Sequence, residues 1–343
     1  MRADLLGTKS NATGAVLHGD SLSVEADDSP NTKTGLICET TLISFNEYSR
    51  SGIIFTDKDF QSINDDKYTE DLNQCILEDF NVEAVKLYLE STKGCFNKSI
   101  FSQLKKLKQK AISEKDDITA NILWCYQAIA KIQFSFICAF EYLKNDLYDD
   151  YHAAWLEFER IEIEMSFLRP HLSLVDGNFH LDFISRITQQ FQSLYPYTWF
   201  ISREIVIKKE KCSICGEIIF LRNRCKHRKG RLYNGEMCFH VVSIKDTDPI
   251  LCALVQNPFD KYCVLFPKGY TYDYFLLRDV ISKLKTPFHD WRYTAYERVK
   301  PSFVKAERNK PCPCGSDKKY KKCCMGKQSE LELHYAITLK NNE

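Results

Sequence analysis

The chain has 343 residues, 44% hydrophobic and 27% charged, with 47 Lys and Arg against 46 Asp and Glu. That is enough for two modest domains or one large core with appendages, and the composition excludes wholesale disorder, a membrane bundle and a small disulfide scaffold. Fifteen cysteines behind an N-terminus without a secretion-type pattern are read as reduced thiols, which implies a cytoplasmic protein with no membrane insertion.

Residues 1–32 are rich in Ser, Asp, Asn and Gly with little periodicity, and a mobile start is expected. From Leu36 to Phe60, LICETTLISF and GIIF alternate roughly with period two around the Ser-rich NEYSRSG, as a short hairpin would. Residues 67–168 then place apolar side chains at three- and four-residue steps, with almost no Pro or Gly before Pro170, so about four helices are expected. Its longest apolar stretch, Ile122 to Phe140, is broken by Gln127, Lys131, Gln133 and Ser135. In LEFERIEIEMSF, Glu157, Glu159, Glu162 and Glu164 are read as a solvated acidic face, because no Glu-x-x-His partner motif accompanies them. A further helix runs from about Phe179 to Leu194, and residues 33–200 form a largely helical domain with a short β hairpin at its start.

The region 201–298 reads as a small α+β unit built around a zinc ribbon. Cys212-Ser-Ile-Cys215-Gly216 has the form of a metal knuckle, in which glycine allows a tight turn and backbone N–H groups face the sulfurs. Cys225-Lys-His227 follows across the strand-like EIIFL and supplies a second ligand pair, completing a set of three cysteines and one histidine. Asn234-Gly235 signals a type I′ hairpin that returns Cys238 on the next strand. Cys238 then either replaces Cys225 or lies just outside the ligands, and His240 is a weaker candidate, better read as a satisfied histidine. Beyond these, VVSIKDTDPILCALV and KYCVLF read as strands and DYFLLRDVISKLK as a helix. His289-Asp290 is the one isolated histidine with an adjacent carboxylate, and a loop is the simpler reading of it.

Residues 299–328 read as a basic linker and a second cysteine module, and 329–343 as a tail helix. In PCPCGSDKKYKKCC, Pro311 and Pro313 stiffen the backbone around Cys312 and Cys314, and Gly315 permits a reversal. Ser316 is expected to cap a short helix that returns Cys323 and Cys324 toward the first pair. Four thiolates fill a tetrahedral site, so this centre is structural, with zinc the first choice and iron an alternative that four thiolates also accept. The other seven cysteines, Cys38, Cys75, Cys95, Cys125, Cys138, Cys252 and Cys263, are scattered, and most of them read as packing residues.

The tail pattern, Cys-x-Cys-x8-Cys-Cys, resembles the SEC-C motif, the zinc-binding tail of SecA-type translocation ATPases and of small bacterial proteins. The resemblance covers about fifteen residues and implies a docking tail for an export chaperone or the ribosome. The stretch from YPYTWFISRE through KCSICG, NGEMC and LVQNPFDKYCVLF also resembles a block in uncharacterised bacterial SEC-C proteins and, more loosely, in some phage-encoded ones. Those usually carry Cys-Gly-His where this chain has Cys225-Lys226-His227, a change that keeps both ligands and alters the turn.

Charge is polarised along the chain. Residues 1–80 hold six Lys/Arg and fifteen Asp/Glu, residues 203–231 ten against three, and residues 300–327 nine against two. Both basic stretches coincide with the cysteine modules and suit an acidic protein surface or nucleic acid. No HExxH, kinase or dinucleotide-binding pattern is present. The fold class is therefore α+β: a mainly helical region, a small β-rich zinc ribbon and a C-terminal SEC-C knuckle. The functional expectation is a non-enzymatic adaptor using its basic tail to reach a ribosome- or export-chaperone-like partner. The alternative is a nucleic-acid-binding regulator or nuclease working through the central ribbon. Nothing in the composition specifies an oligomeric state.

Overall fold

The computed structural model describes residues 81–340, apart from 221 and 223. The expectations for the first 32 residues, for the hairpin over Leu36–Phe60, and for Cys38 and Cys75 fall outside the described residues. The architecture is α+β, helices first and small antiparallel sheets after.

Among the described residues, four helices occupy the stretch read as helical: α1 (Val82–Ser91), α2 (Ser99–Ser113), α3 (Asp117–Asn145) and α4 (Tyr148–Leu168). Asn81 and Asp116 cap α1 and α3 by accepting the N–H groups of Ala84 and Thr119. Asp146, in the left-handed conformation at φ 56°, ends α3 and turns the chain into α4. The helix α3 is central, with sixteen of its 29 residues buried, among them Ile129, Ile132 and Phe136. It is the one described helix long and apolar enough to cross a membrane by length and composition, and 72% of its most apolar window is buried inside the protein. A fifth helix, α5 (Leu181–Ser193), packs Ile184, Ile187 and Phe191 onto this layer.

The acidic run on α4 is a correction to the solvated face read from the sequence. Glu157, Glu159 and Glu164 are buried, because polar partners meet them on the inner side of the helix. Glu157 pairs with Arg160 one turn away, Glu164 with Lys131 of α3 at 3.2 Å, and the half-buried Glu162 with Lys261.

Beyond the helices the chain makes four small sheets. Strands β1 (Phe200–Ile207) and β7 (Thr247–Val255) form an antiparallel pair with a bulge between Glu204 and Ile205. Strand β2 (Glu210–Cys212) lies between β3 (Ile218–Ile219) and β6 (His240–Val241), while β4 (Leu232–Tyr233) and β5 (Glu236–Met237) make a hairpin. The Asn234-Gly235 turn has positive φ at both positions, 52° and 74°, as a type I′ turn requires. Gly235 is also needed for space: a Cβ there would meet the backbone oxygen of Ala120 at 3.0 Å. The hairpin is thus pressed onto the start of α3, where Asn121 accepts the Gly235 N–H and Lys108 of α2 pairs with Glu236 at 2.8 Å.

KYCVLF forms a single bridge, Phe200 with Val264, rather than a strand, and places Phe200 beside Trp155 in an aromatic cluster with Tyr195, Tyr197 and Tyr274. The helix read in DYFLLRDVISKLK is α6 (Phe275–Lys283), whose end is closed by Lys144 donating to the carbonyls of Ile281 and Leu284.

The largest departure lies at the C-terminus. Instead of a flexible linker and a tail helix, β8 (Trp291–Val299) and β9 (Leu331–Leu339) pair antiparallel over nine residues, from Trp291 with Leu339 to Val299 with Leu331. The short α7 (Pro301–Val304) and the cysteine module lie between them, at the far end of this two-stranded arm. Its root is locked into the helical layer. Trp291 is fully buried against Phe191, with ring centroids 5.0 Å apart, and Gln190 donates to the Trp291 carbonyl. Asp290 bridges Arg186 of α5 at 2.9 Å and Lys340 past β9 at 3.4 Å. Asp290 is therefore a structural clamp, and burial of its carboxyl is outweighed by Arg186 and Lys340, which hold its pKa below the usual value.

Replacing Trp291 by Ala removes the anchor of the arm and is expected to cost ~3–5 kcal/mol, whereas Tyr296→Ala on the exposed part of the same strand stays under about 1 kcal/mol. Urea unfolding followed by helical circular dichroism measures both.

Candidate metal centres

In the central centre, Cys212 sits at the end of β2, held by β3 on one side and β6 on the other. Gly216, at φ 74°, closes the knuckle by donating its N–H to the Cys212 carbonyl at 2.8 Å, and Cys215 is carried on this turn. Cys225 and His227 arrive from the basic loop that follows β3. The ligand atoms of Cys212, Cys215, Cys225 and His227 all lie within 4.8 Å of one another. The Cys212 Sγ to His227 Nδ1 distance is 3.7 Å. The His227 ring is held edge-on by Tyr233 of the hairpin, with centroids 4.7 Å apart.

Cys238 is fully buried behind this set, its sulfur 3.7 Å from that of Cys212. Burial first, then the neighbouring Cys212, pushes its thiol up to about 12, and its sulfur is not among the four ligand atoms that all lie within 4.8 Å of one another. Cys212 itself is shifted the other way. Burial opposes its thiolate, but the N–H groups of Cys215 and Ile214 and the thiols of Cys225 and Cys215 outweigh that and bring it to about 6. His240 is turned to Glu210, with Nδ1 and the carboxylate 3.2 Å apart, and is the satisfied histidine expected.

In the tail, Cys312, Cys314, Cys323 and Cys324 come together within the same 4.8 Å limit. Cys314 and Cys323 have sulfurs 3.5 Å apart, and Cys323 and Cys324 3.7 Å. A tetrahedron of thiolates bonded at about 2.3 Å has edges of about 3.8 Å, so both sulfur clusters are already near the spacing that a bound ion imposes. The module has almost no core of its own: Phe303 and Tyr320 pack with centroids 5.8 Å apart over Cys312 and Cys324. Tyr320 is fixed by donating its OH to Glu330 at 2.7 Å.

Ser316 caps no helix here. The segment before Cys323 is a single 3-10 turn, Tyr320–Lys322, because Asp317, at φ 58°, redirects the backbone before a helix can begin. The Ser316 hydroxyl lies instead 3.1 Å from the Cys314 sulfur and 3.0 Å from that of Cys323. This contact, followed by the thiols of Cys312 and Cys323, lowers Cys314 to about 6. The serine is legible as a local hydrogen-bonding residue, but its sulfur partners are not. Tyr233 is likewise invisible in the cysteine spacing, since it meets His227 only through the hairpin.

Of the scattered cysteines, Cys125 and Cys263 are buried, Cys138 is half-buried, and Cys95 and Cys252 are exposed. Burial raises Cys125 to about 12, which keeps it an inert packing thiol. Among the described residues, the two groups above are the His/Cys/Asp/Glu clusters able to hold a metal ion.

Residues 308–326 match the SEC-C motif family. No curated protein and no solved structure matches the chain. The chain thus carries an SEC-C motif together with a second, central Cys/His group, and both donor sets are compatible with metal binding.

Cys314→Ser is expected to lower bound metal by one ion per chain and Cys138→Ser to leave it unchanged, read by elemental analysis of the desalted protein. Metal binding displaces thiol protons, so below pH about 6, where Cys212 and Cys314 are protonated in the metal-free chain, affinity at each site should fall about tenfold more per pH unit than above it. Chelator competition across a pH series gives these slopes.

Proposed function

We propose that the protein is a non-enzymatic, zinc-dependent cytoplasmic adaptor that uses its SEC-C module to dock a ribosome- or export-chaperone-like protein. The observation that carries this reading is the placement of the motif. Its cysteines lie at the end of a nine-residue strand pair, which spans about 30 Å at ~3.3 Å per residue. A module held that far from the helical layer is presented to a partner rather than packed against its own chain.

The surface of the module suits an acidic partner. Lys305, Lys310, Lys318, Lys319, Lys321 and Lys322 are all exposed around the four cysteines. Both donor sets are filled by protein, which leaves no open position for a reacting water and argues for structural ions. Zinc fits such closed sets, four thiolates in the tail and three thiolates with one imidazole in the ribbon, and an iron-loaded tail would be coloured where a zinc-loaded one is not. The helical layer then serves as the platform that carries a client or second partner.

The test is co-sedimentation with purified ribosomes and, separately, capture on a purified export chaperone. Binding to one of the two is expected to fall at least about tenfold in the Cys323→Ser/Cys324→Ser double variant, the loss of an ordered docking surface with its metal. If neither partner binds the wild type, or wild type and variant bind equally, the adaptor reading is abandoned.

A further inference from the structure

A cleft of about 740 Å³ lies where the helical layer meets the central ribbon. Its walls include Lys108 of α2, Trp124 and Lys131 of α3, Phe167 of α4, and Tyr233 and Phe239 of the ribbon. Three lysines and two glutamates line it, with Lys108 paired to Glu236, Lys131 to Glu164, and Lys105 on the exposed face of α2 beside them. What remains is an interior within one charge of balance, with half-buried rings and the amides of Gln109, Gln127 and Asn234.

The rim is different. The loop that delivers Cys225 and His227 carries Arg222, Arg224, Lys226, Arg228, Lys229 and Arg231, all exposed and none in an ion pair with a described residue. Two contacts fasten this loop to the rings of the cleft. The Arg228 N–H donates to the Tyr233 hydroxyl at 2.9 Å. At the other end, the Gly230 carbonyl lies 2.9 Å from His171 Nε2, and the His171 ring meets Trp124 edge-on at 5.5 Å.

A strongly positive rim beside a nearly balanced, aromatic, amide-lined interior matches a ligand whose charge and flat hydrogen-bonding parts are separate. Single-stranded nucleic acid has that construction: phosphates for the loop, and an unstacked base for the cleft. In a duplex the bases are paired and stacked, so only its phosphates could engage. A peptide of Asp and Glu alone would satisfy the rim but carries no aromatic ring for Trp124 and Tyr233. We propose that the cleft and its basic loop bind single-stranded nucleic acid, with backbone phosphates on the loop and a base against Trp124 and Tyr233. Because Cys225 and His227 hold the loop, the central metal ion sets the shape of the rim, and its loss releases the binding surface. The site is separate from the SEC-C module and does not depend on the adaptor reading.

The test uses the full, metal-loaded chain with a short labelled homopyrimidine oligonucleotide, a duplex of the same length and a polyglutamate peptide, each in a salt series. Single-strand binding is expected with quenching of tryptophan fluorescence and a slope of log K on log salt approaching roughly −4 if all six cations reach phosphates. The surface variant Arg228→Gln/Lys229→Gln/Arg231→Gln should flatten that slope by roughly 2, because three phosphate contacts are removed. Trp124→Leu should weaken binding roughly tenfold and leave the slope unchanged, provided circular dichroism and metal content match the wild type. The Cys323→Ser/Cys324→Ser variant should bind the oligonucleotide as the wild type does. The proposal is overturned by no binding, by equal or tighter binding of the duplex or of polyglutamate, or by a triple variant that retains the full slope.

Discussion

Sulfur atoms as close as 3.5 Å repel one another once both are ionised, and that constraint bears on the molecule from Cys212 onward. Each cluster contains one thiol lowered by hydrogen bonds from its neighbours and another, Cys225 or Cys324, that is raised, so a second ionisation in either set meets the charge of the first. A divalent cation bound to either set would remove that repulsion and convert the crowding into bonds. The surrounding Lys and Arg residues offset the excess charge that four thiolates leave on such a centre. The ribbon and the tail have little else to hold them: β2 to β6 are two or three residues each, and the tail buries two aromatic rings.

The helical layer obeys a different constraint. It closes over Ile129, Phe136, Phe158 and Leu168 by apolar burial, which needs no ion. It also fixes the positions of the metal-dependent parts. The Gly235 turn is seated on Ala120 and Asn121, the basic loop on His171, and the arm on Phe191 and Arg186. Chelation should therefore unfold the ribbon and the tail locally while α3 and α4 persist.

Legibility in the sequence follows the range of the interaction. Ligand sets are readable because Cys212-x2-Cys215 and Cys312-x-Cys314 are local patterns with a coordination requirement behind them, and helices α1 to α5 because a 3.6-residue period survives averaging. Glu157, Glu159 and Glu164 read outward because charge on a helix is ordinarily solvated, and Lys131, 33 residues from Glu164, cannot be placed without the fold. The C-terminal strand is a different failure. Leu331, Leu333, Tyr335, Ile337 and Leu339 alternate with period two, a strand signal, but a terminal segment gives no hint of its pairing partner until Trp291–Val299 is seen to need one. Cys238 stays ambiguous in the sequence for the opposite reason: five donors stand near four places, and only the three-dimensional set of ligand atoms separates them.

The paired arm makes folding order a matter of loop closure. β8 and β9 are joined through the whole segment from Lys300 to Glu330, and bringing its ends together costs entropy that grows with the logarithm of the free length. Tying Cys312 and Cys314 to Cys323 and Cys324 shortens the free chain within that segment before the strands meet. Each halving of the effective length lowers the closure cost by about 0.6 kcal/mol. An ion bound at the tip would thus help zip strands it never touches, and a nascent chain that captured metal first would reach its registered hairpin by the shorter search.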